Sequence, residues 1–409
     1  MGWTLREFVT CTVVFLVLMF QAAIVCFATL VTFVCLWPFS RKLYRKQLTH
    51  VLSYWSQNLV GLMQWLAPSQ MVFYFDESCP PSTHIVKHSN QKQRQQQRKK
   101  GTSSCPPGEL NFPDRAIVIS NHQIYADWIY IWFIAYLSKA HGSLKIMLKN
   151  ELKYLPFFGL GMQLFDFIFM KRKLLDDKNT IIKNLERSKK YDRPMWLVLF
   201  PEGTVISEEM RSRSLAYATK NMINDNLFTL LPRSTGLKIC ATTLGDSVEW
   251  MYDLTIGYPG IEPGQIPEDT LRLKQIFTGR GPQQIHVHIR RYHISELPLD
   301  DDAQFSQWIM DRWVEKDKRM EQFYEEGRFT SFDHGNNNGE LDDDDWLHDD
   351  TSPLLDQRNL DGAHTYRVPI RLQHPFKESL GLWLYMIPYI PVLYLFYRLV
   401  YYLLVRYYY

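Results

Sequence analysis

Residues 116–139, AIVISNHQIYADWIYIWFIAYLSK, change character midway. AIVIS, at 116–120, is an apolar run of strand length without polar alternation, which suits a strand covered on both faces. The stretch at 128–139 has the length of a helix and is apolar over most of it. Between them stands a polar turn that carries Asn121, His122 and Asp127. The alternation recurs downstream, with strand-like runs at 165–170, 195–200, 250–258 and 284–292 and helix-like stretches at 176–190 and 208–221. Short apolar strands separated by helices predict an α/β fold on a mixed, mostly parallel sheet flanked by helices. Ligands in such folds collect where strands give way to loops.

That rule selects two turns. His122 follows the first strand, and Asp127, five residues on, can reach back to accept a hydrogen bond from one imidazole nitrogen. The other nitrogen is then left to accept a proton. Asn121 can cap the helix that begins near Asp127. A turn in which Asp127 merely favours the helix amino terminus fits the same residues. The second turn lies in LVLFPEGTVIS, residues 197–207, where a buried strand stops at Pro201 and Glu202, Gly203 and Thr204 fill the loop. Glycine lets backbone approach a ligand closely, and a carboxylate and a hydroxyl can bond a polyol. Arg211 and Arg213 on the next helix suit a solvated face.

The chain ends are different in kind. Residues 8–40 contain no charged side chain, more than the roughly 20 apolar residues a bilayer-spanning helix needs. Arg41, Lys42, Arg45 and Lys46 follow, against Arg6 alone on the other side, which by the positive-inside bias places the next domain in the cytosol. A re-entrant hairpin within 8–37 would void that inference for the amino terminus. Residues 51–67 show helical spacing with Trp55 and Trp65, suited to a membrane interface or to the core. Residues 380–397 form a second charge-free stretch, broken by Pro388 and Pro391, ahead of a tyrosine-rich end. The expected organisation is an anchor at 1–40, interfacial helices at 41–81 and a basic, glutamine-rich disordered insertion at 82–110. A catalytic domain at 111–327, an acidic linker at 328–372 and a membrane segment at 373–409 complete it.

With 409 residues and 46% hydrophobic content, the chain can bury one large core. Residues 340–361 hold nine acids and one arginine, so the remainder carries a net +11, which suits an anionic membrane face or a phosphorylated substrate. The basic tract at 87–100 has six Lys/Arg without interleaved aromatics, which does not support nucleic-acid binding. Cysteines lack zinc-ligand spacing; Cys79 and Cys105 would pair only if that face were luminal. His286 and His288 share a strand face without a third ligand, so no metal is expected. A glycine-rich phosphate loop is missing, which argues against a kinase, and no Gly-x-Ser-x-Gly elbow supports a lipase-like hydrolase.

NHQIYAD followed some 75 residues later by FPEGT resembles the glycerolipid acyltransferase family that includes the lysophosphatidate acyltransferases. FDFIFMKR resembles that family's second block, closing on Arg172, and LLPRSTGLK stands in the place of the fourth. FMKRKLLDDK, EEMRSRSLAYATKN and YDLTIGYPG are most similar to the lysocardiolipin and lysophosphatidylinositol acyltransferase branch, fungal members included. Ile124 replaces a frequent serine, Asp166 a frequent glycine, and PRSTG the usual hydrophobic fourth block. The resemblance implies a membrane enzyme, expected in the endoplasmic reticulum, that acylates a lysophospholipid hydroxyl. His122 would be its base and Asp127 the orienter. Arg172 would bind phosphate, and Glu202, Gly203 and Thr204 would contact the glycerol-phosphate region. Arg211 and Arg213 would be contacts to lipid headgroup or CoA phosphates. Acyl-CoA would serve as co-substrate without a cofactor, and membrane phospholipids would be the partners. A non-catalytic membrane scaffold that keeps the fold is the competing reading.

Overall fold

In a computed structural model that describes residues 4–85, 110–171, 174–330, 355–358 and 364–408, the run RAIVIS forms a strand, β2 (Arg115–Ser120), buried along almost its whole length. It sits inside a nine-stranded sheet. The other strands are β1 (Gln70–Phe75), β3 (Leu144–Lys149), β4 (Ile168–Met170), β5 (Met195–Leu199), β6 (Trp250–Gly257), β7 (Gln284–His293), β8 (Leu355–Arg358) and β9 (His364–Pro369). Their order is β4-β3-β5-β2-β6-β7-β1-β9-β8. From β4 through β6 neighbours run parallel; β7 opposes β6, β1 runs parallel to β7, and β9 and β8 close the edge antiparallel.

The helices are α1 (Leu5–Leu36), α2 (Arg41–Leu66), α3 (Asp127–Leu137), α4 (Phe158–Leu164), α5 (Leu174–Lys190), α6 (Glu208–Asn221), α7 (Ser234–Leu244), α8 (Asp302–Glu326), α9 (Pro375–Met386) and α10 (Ile390–Tyr408). Those with an apolar stripe, α3, α7 and α8 among them, cover the sheet. Helix α3 is buried from Ile129 to Leu137 and belongs to the core cluster that includes Val118, Val198 and Val287. Helix α8 buries Phe305, Ile309, Trp313, Lys316, Met320 and Phe323, a stripe at three- and four-residue spacing.

Two expectations about organisation give way to the sheet. The region read as interfacial helices contains β1, whose MVFYF run is buried because β7 and β9 pair with it on either side. The acidic linker ends in β9, whose Val368 is wholly buried opposite Met71. An apolar core strand in each place was hidden by the polar residues around it. The basic insertion lies outside the described residues over 86–109, as does the linker over 331–354 and 359–363. Cys79 is buried with a free thiol, and Cys105 lies outside the described residues. The strand expected at 165–170 is shorter, because Asp166 takes a left-handed conformation with φ 61° and begins β4 only at Ile168. That conformation accounts for the glycine the resemblance leads one to expect there.

Helices Leu5–Leu36 and Pro375–Arg406 are long and apolar enough to cross a membrane. Helix α1 starts on a capping box between Thr4 and Glu7. It touches the sheet domain at its start and again further along: Glu7 pairs with Lys274 (3.0 Å) and Arg280, and Cys26 Sγ donates to Phe157 O (3.2 Å). Phe8, Val13, Phe15, Leu16 and Phe20 face outward.

Candidate active site

The turns after β2 and β5 lie side by side because their strands are paired in parallel register, residues 115–119 against 195–199. A two-way clamp joins them. His122 N–H donates to Glu202 Oε1 (3.2 Å), and Ile206 N–H donates to His122 O (3.1 Å). Asn121 does not cap the next helix. Its side chain exchanges two hydrogen bonds with the backbone of Ile256 in β6, at 2.9 and 2.8 Å, fixing the turn to the strand on its other side. The amide finds a strand partner because β6 runs directly beside β2.

His122 Nδ1 lies 2.9 Å from Asp127 Oδ2, which also accepts from the Ile124 amide (3.0 Å). Asp127 Oδ1 accepts from the Tyr258 hydroxyl at 2.5 Å. Asp127 is fully buried, so these three bonds replace its lost water, and each bond to a charged acceptor is worth ~1.5–3 kcal/mol. Burial, and the nearby Asp127 charge, push the Tyr258 phenol well above its usual range, which keeps it a donor. The imidazole stacks on Phe200, centroids 4.1 Å apart at 20°, and retains 15% exposure. With the carboxylate on Nδ1, the proton belongs there and Nε2 is the free basic nitrogen.

Glu202 faces the other way. Oε1 accepts from His122 N–H and from the Trp313 indole (3.3 Å), whereas Oε2 is buried without a hydrogen bond of ordinary geometry. Burial pushes its carboxyl up to about 8, against the lowering influence of Trp313, the Leu230 and His122 amides and Lys316. Beneath it, Lys316 donates to Asp253 (2.6 Å), Leu254 O (2.7 Å) and Thr255 Oγ1 (3.2 Å), so the buried ammonium is fully engaged. Gly203 holds φ 74° and is exposed; a side chain there would be strained and would sit 3.6 Å from Arg233 Nε. The rim is closed by Glu268, which accepts from the Tyr125 amide (2.7 Å); burial raises its carboxyl to about 7.

The structure thus brings His122, Asp127, Glu202 and Gly203 together, with Thr204 half-buried beside them. Arg213 is exposed on α6 and pairs with Glu209 one turn away (2.6 Å), and Arg211 is half-buried on the same helix. Arg172 lies outside the described residues. Sequence reasoning missed Tyr258 and Trp313, which come from the residue after β6 and from α8, 131 and 111 positions from their partners. It also missed Arg233, exposed beside Gly203, though PRSTG marked the segment.

Residues 85–255 match the family model described as Acyltransferase, and residues 275–343 match the one described as Acyltransferase C-terminus. The chain carries an acyltransferase-family domain. An uncharacterised acyltransferase of Schizosaccharomyces pombe is 41% identical over 217 residues, 53% of this chain and 62% of the relative. The 2-acyl-1-lysophosphatidylinositol acyltransferase of Saccharomyces cerevisiae is 36% identical over 250 residues, 53% of this chain and 63% of that one. Lysocardiolipin acyltransferase 1 of Danio rerio is 34% identical over 221 residues, 54% of each chain. The chain therefore matches less than two thirds of the length of these relatives. Both turns of the site fall inside, or within a few residues of, these matched segments, as does β6 up to Thr255. With its two apolar terminal helices, an acyltransferase domain of this kind points to membrane association.

Proposed function

We propose that the chain transfers an acyl group from acyl-CoA to the free hydroxyl of a lysophospholipid, of the lysophosphatidylinositol or 1-acylglycerol-3-phosphate type. The observation that carries this reading is the His122 Nδ1–Asp127 Oδ2 contact, backed by Tyr258 and placed at the mouth of two adjacent strands. His122 Nε2 takes the proton as the acceptor oxygen attacks the thioester carbonyl. The tetrahedral intermediate collapses, the C–S bond breaks, and the CoA sulfur leaves with the proton returned from Nε2. A covalent acyl-enzyme is not required, since both substrates react while bound together.

Gly203 lets the acceptor approach the backbone, and Thr204 supplies a hydroxyl. Glu202, buried behind them, acts on the acceptor's glycerol-phosphate region by holding the His122 turn through the His122 N–H. Arg172 binds the phosphate, with Arg233 beside Gly203 as a second guanidinium. Arg211 and Arg213 serve as outer contacts to headgroup or CoA phosphates. The protein works in the endoplasmic reticulum membrane with its domain in the cytosol, the side favoured by Arg41, Lys42, Arg45 and Lys46.

Membranes carrying the protein should incorporate labelled acyl-CoA into one member of a panel of lysophosphatidate, lysophosphatidylinositol and lysocardiolipin. Free fatty acid released without any acceptor would replace the transferase reading with hydrolysis. Full rescue of a null strain by His122→Ala would favour a scaffold.

A further inference from the structure

At the opposite rim of the sheet four cations crowd one carboxylate. Asp166 Oδ2 contacts Arg45 of α2, and its Oδ1 lies 3.6 Å from Arg187 of α5. Its carbonyl accepts from Asn184 Nδ2 (3.2 Å), and Asn184 Oδ1 in turn accepts from Lys145 Nζ of β3 (2.9 Å). Lys145, half-buried, is thus held by a neutral amide. Arg193, in the turn between α5 and β5, acts on the same group and feels Arg45 and Arg187 as like charges. Burial lowers Lys145 to about 8, with Arg187, Arg45 and Arg193 adding to the fall and Asp166 alone opposing it.

Among the described residues these four cations share Asp166, so the cluster carries an excess of positive charge. Arg187 sits in the last turn of α5, where the helix dipole favours a cation; that reason does not reach Lys145 on β3 or Arg45 at the start of α2. Gathering like charges at partial burial costs free energy that an anion would return. The guanidinium groups remain reachable, with Arg187 45% and Arg45 22% exposed. The adjoining α1–α2 turn exposes Phe39 and Trp37, with Arg41 stacked 5.0 Å over the Trp37 ring.

We propose that Arg45, Lys145, Arg187 and Arg193 form a second anion site that takes a phosphate group, separate from the His122 centre. The site lies at the amino-terminal end of β3, where Lys145 registers with Leu197, whereas His122 and Glu202 follow the carboxyl ends of β2 and β5. Its phosphate comes either from a lipid headgroup at the bilayer surface or from a soluble ester. A guanidinium fork beside a half-buried ammonium suits either source.

The test uses the full chain in phosphatidylcholine nanodiscs, with the acetylation rate of Lys145 by an amine-reactive ester read by mass spectrometry. Inorganic phosphate, or nanodiscs containing phosphatidate without free phosphate, should slow the reaction about fivefold at saturation. Slowing by inorganic phosphate identifies a site open to soluble esters; slowing by phosphatidate alone identifies a headgroup site. The double variant Arg45→Gln/Arg187→Gln, which leaves Lys145 in place, should lose the protection. Asp166→Asn removes the competing carboxylate and should strengthen it. An unchanged Lys145 rate in both arms, or protection abolished by Asp166→Asn, would overturn the site. The readout does not depend on transferase activity.

Discussion

Asp127 and Glu202 are both buried carboxylates at the ends of neighbouring strands, and both bond to the same residue, His122. Asp127 spreads three donors over two oxygens: Ile124 N–H and His122 Nδ1–H on one, Tyr258 O–H on the other. Glu202 receives its two well-formed hydrogen bonds on Oε1, while Oε2 is buried without one of ordinary geometry. A carboxylate bonded on both oxygens is fixed in place and orients an imidazole. One whose second oxygen lacks a well-formed bond is pushed up to about 8 by burial and keeps its proton at pH 7. The same residue chemistry is thereby set to two tasks by its surroundings.

The comparison breaks most sharply at the ring they share. His122→Ala should lower kcat toward the upper end of the ~10²–10⁴-fold attributed to a general base, in the acyl-CoA incorporation assay; an active variant would remove His122 from the chemistry. Asp127→Asn keeps the shape but no longer fixes the Nδ1–H tautomer, and a loss of about 10²-fold or more is expected in kcat with KM little changed. Tyr258→Phe removes a single donor from Asp127 Oδ1 while filling the same space. About a tenfold fall in kcat is expected, and an unchanged rate would mean that Asp127 needs only its two other bonds.

Glu202→Gln sharpens the contrast through pH. From the usual 4.5 to about 8, the folded chain keeps the Glu202 proton and the unfolded chain releases it, so this group makes stability fall as pH rises through that window. The glutamine variant should lack that fall, seen as a smaller drop in thermal midpoint between pH 5 and 8 than in the parent. Parallel pH profiles in the two proteins would argue that Glu202 is ionised when folded. The smallest effect is steric. A Cβ at Gly257 would meet the Phe323 ring at 2.7 Å, so Gly257→Ala should cost ~1–3 kcal/mol of stability by denaturant titration.

How much of this was legible can be followed residue by residue. The strand at 116–120 and the turn that follows were plain, because a β-branched apolar run can only be buried and a polar turn must surface at its end. β1 and β9 were not, since a strand closed by pairing with β7 looks locally like part of a helical or linker region. The local rule offers Asn121 as a cap to the helix it precedes, whereas β6 captures it. Tyr258 and Trp313 carry no local sign of their partners, which are brought to them only by β6 pairing with β2 and by α8 folding back.

By itself, then, the sequence determined the α/β alternation, the two strand-end turns and the apolar terminal helices, all of which follow from periodicity within some 20 residues. Tertiary structure alone decided which oxygen of Asp127 meets Tyr258, why one Glu202 oxygen lacks a well-formed bond, and that Lys145 shares Asp166 with three arginines. Those are consequences of burial and of contacts between distant segments, and a carboxylate or ammonium acquires its function from the donors and charges that the fold places around it.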